Sequence, residues 1–114
     1  EQLVVKSINQ QWDTRLVDYF GRLQVEDASS QLATAEKWLQ NYGSSEVLLL
    51  ALGRICIRLK LWGKAQRYLE ASIGIKSTAE SCLELAKLLN RKELGEAEAA
   101  CRYYQQGLEH CQGN

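Results

Sequence analysis

A helix-forming sequence that repeats itself about every 34 residues leaves few folds open to a chain. Residues 46–77 and 79–108 superimpose in this way. Leu49, Leu52 and Gly53 stand where Cys82, Leu85 and Ala86 stand, 33 residues on. Ala65, Leu69, Ser72 and Ile73 stand where Ala100, Tyr104, Gly107 and Leu108 stand, 35 residues on. The second unit therefore carries two extra residues in its internal turn. Small and large positions have a physical reading. Gly53 and Ala86 belong where the two helices of one hairpin cross, and Ala65 and Ala100 are small on the facing helix. Ser72 and Gly107 are expected to let the next hairpin pack close. Leu49, Leu52, Leu69 and Tyr104 fill the space that remains.

The rest of the chain carries the same helical period. Of its 114 residues 46% are hydrophobic, with no Pro to interrupt a helix. Ample apolar material excludes a disordered chain. Residues 1–11 read as the end of a helix. Asp13 is a plausible N-cap for a helix with Leu16, Tyr19, Phe20 and Leu23 at 3-4 spacing. Asp27, Ser29 and Ser30 are cap candidates for the next, with Leu32, Ala35, Leu39 and Tyr42 on one stripe and Gly43 as its closing residue. Ser44-Ser45-Glu46 opens the helix of Leu48, Leu49, Leu52, Cys56 and Leu59. After a tight turn at Lys60-Leu61 comes a stripe of Ala65, Tyr68, Leu69, Ser72 and Ile73. Ser77-Thr78-Ala79-Glu80 matches a capping box ahead of Cys82, Leu85, Ala86 and Leu89. The last stripe is Ala97, Ala100, Cys101, Tyr104, Leu108 and Cys111. This gives an all-α chain of about seven helices in one domain: the end of a truncated unit (1–11), a degenerate hairpin (13–43) and two clear hairpins (45–77 and 78–112). Short turns force neighbours to pack antiparallel. Periodicity alone leaves a plain helical bundle open.

The small-and-large pattern resembles the tetratricopeptide repeat. LLLALGRICIRLKLWGKAQRYLEASI resembles it closely, although the Trp common at its start and the Pro common at its end are missing. ESCLELAKLLNRKELGEAEAACRYYQQGL resembles it more loosely. That resemblance implies antiparallel hairpins stacked as a right-handed solenoid. With WDTRL opening the hairpin before it and AEAACRYYQQGL closing the chain, the whole resembles the C-terminal region of HemY-type protohaem IX biogenesis proteins. The family resemblance implies a cytoplasmic repeat domain on a bacterial inner-membrane protein, linked to haem synthesis without an established catalytic role. Its partners would be other haem-synthesis components. The sequence begins at Glu1 and has no Met, which reads as an excised fragment that leaves a membrane anchor or an address open upstream.

Chemistry is sparsely provided for. His110 is the single His, and no nucleophile elbow, phosphate-binding glycine loop or H-E-x-x-H occurs, so no catalytic residue is expected. The four Cys form no C-x-x-C pair, which favours reduced thiols. Cys56, Cys82 and Cys101 fall on stripes that read as core, and no metal site is expected. One Cys or His can hold haem iron, so His110 and Cys111 keep a haem or porphyrin carrier open as the alternative.

The favoured site is the inner groove that stacked hairpins form along their first helices. Its residues are Val47, Leu50, Arg54, Ile57 and Arg58 on one helix and Leu83, Lys87, Asn90 and Arg91 on the next. Arg15 and Arg22 add to it from the degenerate hairpin. Arg54, Arg58, Lys87 and Arg91 would form a basic strip beside the apolar anchors Leu50, Ile57 and Leu83, suited to an acidic or C-terminal peptide. The same cations can instead pair with Glu80, Glu84 or Glu46 within the helices, on a solvated face. Fourteen basic residues balance fourteen acidic ones, which disfavours nucleic acid. Trp12 and Trp38 are expected to be exposed at an open end, where the chain could self-associate.

Overall fold

Side-chain caps at four helix starts fix where this sequence turns helical. The computed structural model describes residue 5 and residues 13–23, 27–91 and 96–112. Among these it holds six helices and no strand: α1 (Thr14–Arg22), α2 (Ala28–Tyr42), α3 (Glu46–Arg58), α4 (Trp62–Ile75), α5 (Ala79–Leu89) and α6 (Ala97–Gln112). Asp13, Asp27 and Ser45 cap α1, α2 and α3 by accepting from the backbone N–H of Arg15, Ser30 and Leu48. Gly43 closes α2 at φ 79°, a conformation open to Gly at little cost. Lys60 turns the chain from α3 into α4 at φ 61°. The capping box of α5 lies one residue later than expected: Thr78 and Ser81 form it, which frees Ser77 for another role. The helix expected over 1–11 lies outside the described residues except for Val5, which is helical and packs half-buried against the core. Trp12 also lies outside them.

Helix α3 is the centre of the packing. It contacts α1, α2, α4 and α5, and Leu48 to Gly53, Ile55 and Cys56 are all buried. A helix apolar around most of its circumference has to be covered on most sides. Two close approaches make this possible. A Cβ on Gly53 would lie 2.6 Å from Leu69 Cδ2 in α4, and a Cβ on Gly21 would lie 2.5 Å from Ala51 Cβ and 2.7 Å from Ala51 Cα. The expectation for Gly53 holds. The Gly21–Ala51 crossing of α1 on α3 has no counterpart in the internal repeat, which is why the repeat alone does not reveal it.

The two clear hairpins copy each other in their hydrogen bonds. Leu61 N–H donates to Cys56 O at 2.9 Å, and Glu96 N–H donates to Leu89 O at 3.3 Å. Those positions are related by the same 35- and 33-residue offsets. Ser72 and Gly107 are also equivalent, but they face elsewhere than expected. Ser72 Oγ donates to Glu46 O at 2.7 Å. A Cβ on Gly107 would lie 3.3 Å from Leu83 and 3.5 Å from Ala79 O. Both residues tighten the crossing inside their own hairpin rather than the step to the next. Ala65, Ala86 and Ala100 are buried as expected.

The first part of the chain joins through side chains. Phe20 and Trp38 meet edge to face at 4.7 Å. Buried Gln31 donates to Phe20 O at 2.7 Å and Leu23 O at 3.1 Å, satisfying the end of α1 from α2. Trp38 is only 2% exposed. It belongs to the core and not to an open end, because α1 covers the face that the repeat pattern left bare. In α6 the expected stripe is displaced. Ala100 and Gly107 are buried, whereas Cys101, Leu108 and Cys111 are exposed, since no described helix follows α6. Cys56 and Cys82 are buried, and burial pushes the Cys56 thiol up to about 11. Between α2 and α4, Glu36 accepts from Tyr68 Oη at 2.6 Å and Lys64 Nζ at 3.0 Å. The Tyr68 bond is the main reason that its carboxyl lies below the usual range.

Two predictions follow from this packing. Alanine at Gly53 would put its Cβ 2.6 Å from Cδ2 and 2.7 Å from Cγ of fully buried Leu69, which must then shift, so Gly53→Ala is mildly destabilising despite the gain in helix propensity. Gly53→Leu overpacks the crossing and costs about 1–3 kcal/mol, and Gly21→Ala is also destabilising because its Cβ meets backbone. Urea denaturation of the three variants checks the order, and a neutral Gly53→Leu contradicts the crossing. A carboxyl depressed on folding contributes stability that is present above its unfolded pKa and lost as pH falls through its folded pKa. Tyr68→Phe should therefore raise the Glu36 pKa, read by NMR titration, and reduce the acid-dependent part of the stability.

Candidate functional site

The face shared by α1, α3 and α5 brings most of the expected groove residues together, but not as a free basic strip. Arg54 is 12% exposed and surrounded by carboxylates: Asp18 at 2.9 Å, Glu80 at 3.6 Å and Glu84 at 3.9 Å. Arg22 joins from α1, at 3.1 Å from Asp18 and 3.3 Å from Glu80. The result is an ion cluster spanning three helices. Glu80 and Glu84 are expected to pair within their own helix and instead reach across to Arg54 on α3. Asp18 is not among the expected partners, and its one sequence signal is the four-residue spacing to Arg22.

Arg58 has a different task. Its guanidinium donates to Leu23 O at 2.6 Å, to Gln31 Oε1 at 3.1 Å and to Gly21 O. The last carbonyls of a helix have no partner of their own, and Arg58 supplies one from α3. Burial is the main cause that lowers its pKa, with the Arg54 charge adding to it. Lys87 is exposed, and Arg91 stacks over the Trp62 ring at 4.4 Å. The expected anchors are less available than the spacing suggests. Leu50 is buried in the core, Leu83 lies against Gly107, and Ile57 is half-buried.

Accessible space lies at two places on this face. A recess of about 310 Å³ is bounded by Arg22, Arg54, Ile57, Arg58 and Glu84. A larger one of about 370 Å³ opens beside it, lined by Thr14, Arg15, Asp18, Glu46, Val47, Leu50, Ser72, Lys76, Thr78 and Glu80. Its floor is apolar at Val47 and Leu50, and its rim carries charges of both signs. This recess is the feature of the face best shaped to take a side chain from outside.

His110 and Cys111 do not converge on a ligand. His110 Nε2 lies 2.7 Å from Ser77 Oγ, which also accepts from Gln106 Nε2 at 2.8 Å and touches Cys82 Sγ at 3.4 Å. This polar clasp ties α6 to the start of α5, and haem iron would have to displace it to reach Nε2. Cys111 is exposed on the neighbouring face of the helix. Among the described residues there is no group of three or more His, Cys, Asp or Glu able to hold a metal ion. No described helix is long and apolar enough to cross a membrane.

Arg58→Ala should cost about 2 kcal/mol, because three half-buried acceptors lose a charged donor. Arg58→Lys should recover only part of it, since one ammonium cannot span carbonyls that a planar fork reaches. Thermal denaturation reads both, and equal stability of Lys and Arg would contradict the bridging role.

Comparison of the chain with protein-family models, with curated proteins and with solved structures gives no match.

Proposed function

We propose that this chain is a non-catalytic scaffold of tetratricopeptide-like hairpins, stacked as a solenoid, that holds a partner peptide along the face of α1, α3 and α5. The observation that carries this reading is the recess between Thr14, Val47, Leu50 and Glu80. It lies on the inner face that such a solenoid would present, with an apolar floor and charged walls. A partner would insert a small apolar side chain there and meet the rim charges with polar groups on either side. The order of contacts supports the stacking: α1 meets α3 and α3 meets α5, while α2 and α4 each touch the first helix of the following hairpin.

The resemblance of the WDTRL and LLLALGRICIRLKLWGKAQRYLEASI segments to HemY-type proteins supports haem-synthesis enzymes at the inner membrane as the partner class. In that setting the full-length protein is membrane-anchored and this domain is cytoplasmic. The engagement of Arg54 and Arg58 within the fold changes how the groove is tested. Reversing their charge would break the helix contacts along with any binding.

Thr14→Trp fills the recess from an exposed position. Purified haem-synthesis enzymes passed over the immobilised chain should bind saturably to the wild type and at least about tenfold more weakly to Thr14→Trp, at unchanged melting temperature. Binding that is indifferent to Thr14→Trp removes the groove, and no binding by any of the enzymes removes the haem-synthesis assignment.

A further inference from the structure

The recess of about 310 Å³ on the face of α1, α3 and α5 is walled by the guanidinium groups of Arg22, Arg54 and Arg58, with Glu84 as its carboxylate and Ile57 as its apolar residue. It shares no lining residue with the recess proposed for a partner. Asp18 and Glu80, which meet Arg22 and Arg54, line that other recess instead. Arg54 and Arg58 stand one turn apart on α3, close enough for the charge of one to oppose that of the other.

The fold satisfies these arginines unevenly. Arg58 donates through Nη1 to Leu23 O and Gln31 Oε1 and through Nη2 to Gly21 O. Those acceptors are all neutral, and among the described residues no carboxylate pairs with Arg58 and nothing accepts from its Nε–H. Arg54 is hydrogen-bonded through Nη1, to Asp18 at 2.9 Å. Its Nη2 lies 3.6 Å from Glu80 and its Nε 3.9 Å from Glu84, both beyond hydrogen-bond reach. Arg22 meets Asp18 through Nε and Glu80 through Nη2, which leaves its Nη1. No buried side-chain nitrogen among the described residues lacks a partner. The unbonded nitrogens of Arg54 and Arg58 are therefore open to solvent, and the recess is the opening that both residues border.

We propose that the recess walled by Arg22, Arg54 and Arg58 binds a phosphate group. A carboxylate is planar and presents its pair of oxygens in one direction, whereas a phosphate presents acceptors in several. Here the donors come from α1 and from successive turns of α3, which suits the tetrahedral group. Glu84, the most loosely held carboxylate of the cluster, is the one displaced from Arg54 Nε. At Arg54 one anion replaces another with little gain. The binding energy comes from Arg58, which pairs with no described carboxylate, and from the unused Nη1 of Arg22. Affinity is accordingly modest and falls as salt rises.

Sodium phosphate titrated into the chain at neutral pH, with chloride adjusted to hold ionic strength constant, should shift the Nε–H signals of Arg54 and Arg58 saturably in heteronuclear NMR. Acetate should bind at least about threefold more weakly. Phenyl phosphate separates an ester from the free ion by which of the two binds more tightly, and either order supports the site. Glu84→Gln removes the competing carboxylate and should tighten phosphate at least about threefold. Arg22→Gln, at an exposed position, should weaken it, and Arg102→Gln, exposed on α6, should leave it unchanged. A shift that does not saturate, acetate bound as tightly as phosphate, or no effect of Glu84→Gln or Arg22→Gln overturns the proposal. Thr14→Trp should leave phosphate binding unchanged, so this site and the partner recess can fail separately.

Discussion

Two close approaches at glycines, one on each side of α3, set the geometry of everything else. Gly21 lies on Ala51 and Gly53 lies on Leu69. Because neither glycine holds the helices apart, α1 and α4 approach α3 closely enough to bury its apolar run from Leu48 to Gly53 completely. Such burial is favourable at about 25 cal/mol per Å² of apolar surface, and close packing adds dispersion contacts that a looser crossing would lose. The same closeness brings Arg54 and Arg58 within reach of α1. The ion cluster and the carbonyl bridge are thus consequences of the crossing, and they also fix its register.

The legible part of the fold follows from where information is stored locally. Caps at Asp13, Asp27 and Ser45 and the closing Gly43 depend on one or two residues, and each is where the sequence places it. The hairpin register is legible because it is written twice, in the offsets that relate Gly53 to Ala86 and Ser72 to Gly107. The Gly21–Ala51 crossing is written once, between segments without internal similarity, so no offset reveals it. The capping box slips by one residue because Thr78 is as good a cap as Ser77. Once Thr78 takes the cap, the Ser77 hydroxyl is released to the clasp with His110 and Gln106.

The candidate site was legible in position and not in state. Spacing places Arg54 and Arg58 on one face of α3, and both reach α1 from that face. Spacing does not reveal that α1 brings Asp18 and three backbone or amide oxygens to meet them. A cation's availability depends on neighbours distant in sequence, and periodicity within one helix is blind to them. Leu50 shows the same limit for apolar residues. It sits where a groove residue should be, yet α3 is flanked on both sides and the side chain is core.

Charge on this face therefore acts differently from a row of free cations. Arg54 shares its guanidinium among carboxylates from α1 and α5, so a partner's carboxylate would gain only by displacing one of them. That exchange yields little net energy, since an equivalent pair is lost for each pair made. For the proposed partner, apolar floor and shape would then carry more of the affinity at the recess beside it, and the rim charges would act mainly by excluding partners whose own charges cannot be met. If the proposed recess takes a partner, specificity would rest on fit over half-buried Val47 first and on electrostatic steering second.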